Sequence, residues 1–183
     1  RRGLMQGSGG VINREENPNK SYIDTIKCSN LAGVFDRDGH EEKVAFSMGR
    51  HFVAVTGETG SAKSLLLSKL TDIVSGGKAT ASLVPKERGT ATVEMSMCIV
   101  EPHLSWVQKV LTEVGLQKLL EIDGVGRLSV ERVLERGTRL SSTTKINDVV
   151  VTMKIVRQVV APLVVVVDTP RAAASLGRPQ SRL

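Results

Sequence analysis

The chain has 183 residues, 40% of them hydrophobic and 24% charged, with a formal net charge of +6. That length suits one domain with a real core, and the apolar fraction is too high for a disordered chain. The longest apolar run, over 159–167, is about half the ~18 residues that a membrane span needs, so no membrane partner is expected. Aromatic residues make up only 3%, which argues against a stacking platform for single-stranded nucleic acid. The basic balance permits an anionic partner, nucleic acid or nucleotide, without demonstrating one. Cys28 and Cys98 are too few for a disulfide framework and read as buried thiols in a reducing compartment.

Residues 1–20 are rich in Gly, Asn and Ser, have no apolar periodicity and no h-region, and read as a flexible lead-in rather than a secretory signal. Residues 21–28 and 43–48 alternate as strands, and 52–56 form a short apolar run of the buried-strand kind. Helical spacing follows over 62–74, with a stop at Gly76 and Gly77. Residues 90–100 alternate again, placing Ala91, Val93, Met95, Met97 and Ile99 on one face. Residues 103–120 read as an amphipathic helix with a stripe of Leu104, Val107, Val110, Leu111, Val114 and Leu119, and Trp106 is expected to be packed or half packed. Residues 128–134 and 145–152 read as two hairpin strands, 153–160 as a short helix, and 163–167 as a second buried strand. The tail, 169–183, is basic.

The informative segment is FVAVTGETGSAKSLLLSKL, residues 52–70. A buried strand runs into a Gly-rich turn, then Lys-Ser, then an apolar helix, which is the setting of a Walker A phosphate loop. Gly57 and Gly60 allow the tight turn that points successive N–H groups at an anion, and the helix start adds its positive end. The candidate nucleotide-binding residues are Gly57, Glu58, Thr59, Gly60, Ser61, Ala62, Lys63 and Ser64; Glu58 carries no assigned chemistry. Lys63 is placed to reach the β- and γ-phosphates of ATP, and the Ser64 hydroxyl to ligate the nucleotide's Mg2+. The motif asks for Gly at position 62 and this chain has Ala, a departure worth about 1 kcal/mol or more if that backbone needs a positive φ. The bland reading of the segment is a plain Gly-rich turn before a helix.

Four valines lead into Asp168, the form of a Walker B strand. The bland reading is a buried strand ending in a polar turn. No guanine-reading N-K-x-D is present, which disfavours a GTPase. His40, His51 and His103 have no metal-ligand spacing, and Lys86 and Arg88 read as part of a solvated turn. Residues 131–157 hold six Lys/Arg against three Asp/Glu, scattered as on a solvated surface.

Residues 42–70, EKVAFSMGRHFVAVTGETGSAKSLLLSKL, resemble the amino-terminal head of RecN-like proteins in the SMC group of ATPases. The similarity continues in order through GGKATASLV, TATVEMSMCI, LSVERVLERG, KINDVVVT and VVVVDTPR, so that it spans about 21–183. It implies an α/β fold: the N-terminal lobe of an ABC/SMC-type P-loop NTPase head, over 21–168, with a mixed sheet, flanking helices and a β-rich subdomain. Strand–helix–strand connections imply parallel central strands. The resemblance further implies MgATP, DNA and a second ATPase head, as a homodimer, as partners, and action in DNA double-strand break repair and recombination. Its compartment is then the cytoplasm or nucleoid, or an organelle in a eukaryote. It recasts Asp168 as preceding the Q-loop, where Thr169, Pro170, Arg171 and Ala172 replace the Gln-bearing string. The coiled coil, the ABC signature and the second-lobe Walker B do not occur in this sequence. No turnover is therefore expected from it alone, catalytic residues stay unassigned, and a fragment or truncated product is the expectation. Two rivals stay open: a degenerate head serving as an interaction module, and a stand-alone P-loop NTPase with Asp168 as Walker B.

Overall fold

A computed structural model describes residues 20–32, 43–50, 53, 69–116, 120–122 and 125–164. Its strands are β1 (Tyr22–Ser29), β2 (Lys43–Ser47), β3 (Thr90–Ile99), β4 (Leu120–Ile122), β5 (Val125–Arg136), β6 (Leu140–Ile146) and β7 (Val149–Val151). The helices are α1 (Leu70–Val74), α2 (His103–Glu113) and α3 (Met153–Val159). The strands form one sheet in the order β2-β1-β3-β5-β6-β7, with β4 paired to β5 beyond the reach of β6.

Alternation decides which face of this sheet is covered. On β3, Ala91, Val93, Met95, Met97 and Ile99 are all buried, as the period of two requires. Leu128, Val130 and Leu134 of β5 and Ile26 and Cys28 of β1 continue the same core. Ile23 and Ile26 are three residues apart, a spacing that points to opposite faces in a regular strand. A bulge between Ile23 and Thr25 restores the phase, so Ile23 pairs with Met97 and Ile26 with Met95. Leu70, Ile73 and Val74 of α1, Leu104, Val107 and Leu111 of α2, and Val156 and Val159 of α3 close the core.

The opposite face is polar. One row crosses four strands as Lys27, Glu94, Glu131 and Lys145. The two carboxylates stand directly opposite each other, a repulsive arrangement on its own. Lys27 offsets it from one side at 3.3 Å from Glu94, and Lys145 from the other at 3.0 Å from Glu131. The Glu131 partner holds the Lys145 ammonium above its usual range.

Several expectations change. Parallel central strands were expected, yet every pairing among the described residues is antiparallel. The two buried strands expected over 52–56 and 163–167 lie mostly outside the described residues; Val53 is in no strand, and Leu163 is in a turn. The helix expected over 103–120 stops at Glu113, because Gly115 takes φ +75 and ends it, and Leu120 already belongs to β4. The strand expected over 145–152 is divided at Asn147 and Asp148, with φ 45 and 66, the positive pair of a two-residue hairpin turn. Half of the stretch between the two expected hairpin strands, 140–144, belongs to β6, which shows solvent three residues in a row and so lacks an apolar signature. Trp106 lies on the outer side of α2, 37% exposed. Cys28 and Cys98 are both buried.

Met95 sits at the centre of the middle strand with no exposed surface. Met95→Ala should destabilise the chain by about 2–5 kcal/mol, and Met95→Leu by less than about 1.5 kcal/mol. Urea unfolding checks both: the midpoint should fall with the slope unchanged.

Candidate functional site

Gly57, Glu58, Thr59, Gly60, Ser61, Ala62, Lys63 and Ser64 lie outside the described residues, as does Asp168. The described part of this region is the carboxyl end of the helix that sequence spacing extends back towards Lys63. That end is α1, where Leu70, Ile73 and Val74 are buried against the sheet. It stops where the sequence says it should, since Gly76 takes φ +98.

A helix that ends inside a core leaves carbonyls in need of donors. Backbone amides supply some: Ser75 N donates to Thr71 O at 2.9 Å, and Gly77 N to Asp72 O at 2.7 Å. Arginines supply others. Arg132 Nη1 donates to Ile73 O at 2.9 Å and to Gly77 O at 2.7 Å, and Arg157 Nε donates to Gly76 O at 2.9 Å. Charge-assisted bonds of this kind contribute roughly 1.5–3 kcal/mol each, and cations at a helix carboxyl end also oppose its negative pole.

Arg132 comes from the core face of β5, between Val130 and Leu134, and is only 7% exposed. Its Nη2 also lies 3.4 Å from Ser142 Oγ, while its Nε has no hydrogen-bond partner. Burial pulls the guanidinium below its usual range, the like charge of Arg157 adds to that, and Asp72 opposes it. The residue is anchored in a strand, so it fixes the helix end relative to the sheet. None of this was anticipated from the sequence. The available signal was a charge at an inward position of an otherwise apolar alternation.

A second cluster lies where the chain leaves α3. A cavity of about 130 Å³ is lined by Tyr22, Cys98, Ile99, Leu163 and Val164 among others. The start of the 163–167 segment therefore lies beside the ends of β1 and β3. The neighbouring Cys98 thiol raises the pKa of the Tyr22 hydroxyl, while Arg50, 5.5 Å from the ring centre, works the other way. His103 Nδ1 lies 3.2 Å from Ser21 Oγ, an ordinary polar tie. Lys86 is exposed in a turn, as expected. Among the described residues no group of three or more His, Cys, Asp or Glu side chains is arranged to hold a metal ion.

The glycine stop has little room. A Cβ at Gly76 would lie 2.6 Å from Arg157 Cγ, at a φ that side chains avoid. Gly76→Ala should therefore cost about 1–3 kcal/mol, or very roughly 2–4 °C in Tm per kcal/mol for a chain of this size, read by thermal unfolding.

No protein-family model matches the chain, and no curated protein matches it. Solved structures do. A chain solved in work on ATP-driven dimerization and DNA-stimulated activation of SMC ATPases is 13% identical, with a TM-score of 0.54 over 87% of this chain and 93% of that one. The Smc head domain of Pyrococcus furiosus, with an extended coiled coil and bound to the C-terminal domain of ScpA, is 15% identical at TM-score 0.54, over 78% of this chain and 33% of that one. The Pyrococcus yayanosii Smc head domain with a coiled coil and joint is 16% identical at TM-score 0.54, over 78% and 25%. The chain thus spans between a quarter and a third of these two longer head structures. Identities this low carry the fold and not the activity: the α/β fold of this chain is that of an SMC ATPase head domain.

Proposed function

We propose that the chain is the ATP-binding lobe of a RecN-like head acting in DNA double-strand break repair and recombination. The observation that supports the reading is the Walker A-like string over 57–64, with the buried helix Leu70–Val74 after it in sequence, in a chain with the SMC-head fold. In this reading the Gly57–Ser64 amides cradle the phosphates, Lys63 offsets their charge, and Ser64 offers a hydroxyl to the nucleotide's Mg2+. A hydroxyl, an ammonium and a run of amides are the donor set that a magnesium-bound triphosphate needs. The metal would neutralise charge between the β- and γ-phosphates. The partners of this reading are a second head, as in a homodimer, and DNA held through its backbone in a salt-sensitive way. Its compartment is the cytoplasm or nucleoid. No helix among the described residues is long and apolar enough to cross a membrane.

Ala62 favours one second reading, a head that has lost nucleotide and serves as an interaction module. Calorimetric titration of MgATP separates the two. The parent chain should bind, and Lys63→Ala should weaken binding at least about tenfold, or about 1.4 kcal/mol. Ala62→Gly should tighten it. A folded parent that takes no MgATP, and gains none on Ala62→Gly, would overturn the nucleotide reading and leave the interaction module.

A further inference from the structure

We propose that Ser142 is a phosphorylation site, and that Arg132 holds the phosphoryl group it accepts. The inference does not depend on the nucleotide reading above. Arg132 is only 7% exposed, and its three acceptors, Ile73 O, Gly77 O and Ser142 Oγ, are all neutral. Among the described residues no carboxylate lies within ion-pair distance of it. A buried guanidinium without a counter-anion is a costly group. Arg157 adds a like charge, which Asp72 opposes. Nη1 is committed to the two carbonyls, Nη2 meets the exposed Ser142 hydroxyl at 3.4 Å, and Nε has no hydrogen-bond partner. In a guanidinium the Nε–H and one Nη2–H point the same way and form an edge that grips two oxygens of a phosphate. That edge is the one turned towards Ser142.

Ser142 is also placed to be modified. It stands on the inward face of β6 opposite Leu134, yet it is exposed, because the cover of that face stops short of it. β7 pairs only with Thr144, Lys145 and Ile146, so among the described residues the outer backbone edge of 140–143 is unpaired. The stretch offers a hydroxyl on an extended, open-edged backbone. Arg139, exposed three residues before it, gives a protein kinase with acidic subsites a second contact. In the transfer, Ser142 Oγ attacks the γ-phosphorus of ATP bound to that kinase. The bond from phosphorus to the leaving ADP breaks, and the hydroxyl proton passes to the kinase's base. Ser141 supplies a matched control. It is exposed too, but lies on the other face, where its Oγ donates to Glu135 Oε2 at 3.3 Å. A phosphoryl group there would face a carboxylate instead of a guanidinium.

The test has two arms, both on the full chain. In the first, phosphoserine is built in at 142 or at 141, and phosphorus NMR and thermal unfolding are read. Phosphoserine at 142 should titrate about one pH unit below its ordinary ~6 and raise Tm by roughly 2–4 °C near neutral pH. The folded value is depressed, so the gain from the second charge is present above about pH 6 and lost as pH falls through about 5. Phosphoserine at 141 should titrate at or above ~6 and lower Tm. Arg132→Met should return the 142 phosphate to about 6. If that variant does not fold, the comparison of 142 with 141 decides. Equal titration and equal Tm change at the two positions overturn the inference. In the second arm, the unmodified folded chain is incubated with MgATP and a Ser/Thr kinase that prefers a basic residue three positions before its target. Mass spectrometry should find phosphate on Ser142, and Arg139→Ala should slow its incorporation about threefold. A folded chain modified only at Ser141 or Thr143, or at none of the three, overturns the inference.

Discussion

A helix that terminates inside a core brings unpaired carbonyls with it, and satisfying them constrains everything packed around its end. Here the helix is α1, and its end is held from two directions. Arg132 reaches it from the sheet and Arg157 from α3. For Arg132 to reach, β5 must run in register with β3, which sets Val130 against Met95 and keeps the inward alternation in phase. For Arg157 to reach, the β6–β7 hairpin must close tightly enough to deliver α3 beside the helix stop. The positive-φ pair Asn147 and Asp148 does this. Asn147 also ties itself back to β5: its Oδ1 accepts from Ser129 N at 2.7 Å, and its Nδ2 donates to Arg127 O at 3.3 Å. The end of one helix is thus coupled to the turn chemistry of a hairpin seventy residues away in sequence.

The same geometry separates the tasks of the two sheet faces. The inward face supplies apolar burial plus two guanidiniums of β5, Arg132 and Arg136, each with a fixed set of acceptors. The outward face carries only solvent-exposed or half-exposed charge, such as the Lys27–Glu94–Glu131–Lys145 row, where each ion pair contributes little beyond cancelling a neighbour's repulsion. The negative pole at the carboxyl end of α1 is offset by the two guanidiniums of Arg132 and Arg157.

Much of this fold was legible because alternation is a direct record of burial. β1, β2 and β3 and the start of α2 follow from it, and the stop at Gly76 follows from backbone freedom. What escaped was governed by other rules. β6 exposes Ser141, Ser142 and Thr143 in succession and so carries no alternating apolar signal there. Asn147 and Asp148 resemble ordinary polar strand residues until their φ values are known. Strand direction is not a local property, so the antiparallel pairings could not be read from composition. On the site, the residue types over 57–64 match the needs of a phosphate, and that string lies outside the described residues. Arg132 was not legible in the sequence, because its acceptors lie some sixty residues away and only tertiary pairing brings them together.

The most direct measurement is amide hydrogen exchange of the full chain with and without MgATP, resolved to short peptides across the whole sequence. Nucleotide held by the Gly57–Ser64 loop and the clamped helix should protect 57–64 most strongly, with protection spreading into Leu70–Val74. A folded chain whose amides over 57–74 exchange identically with and without MgATP, or which is protected only elsewhere, would contradict it.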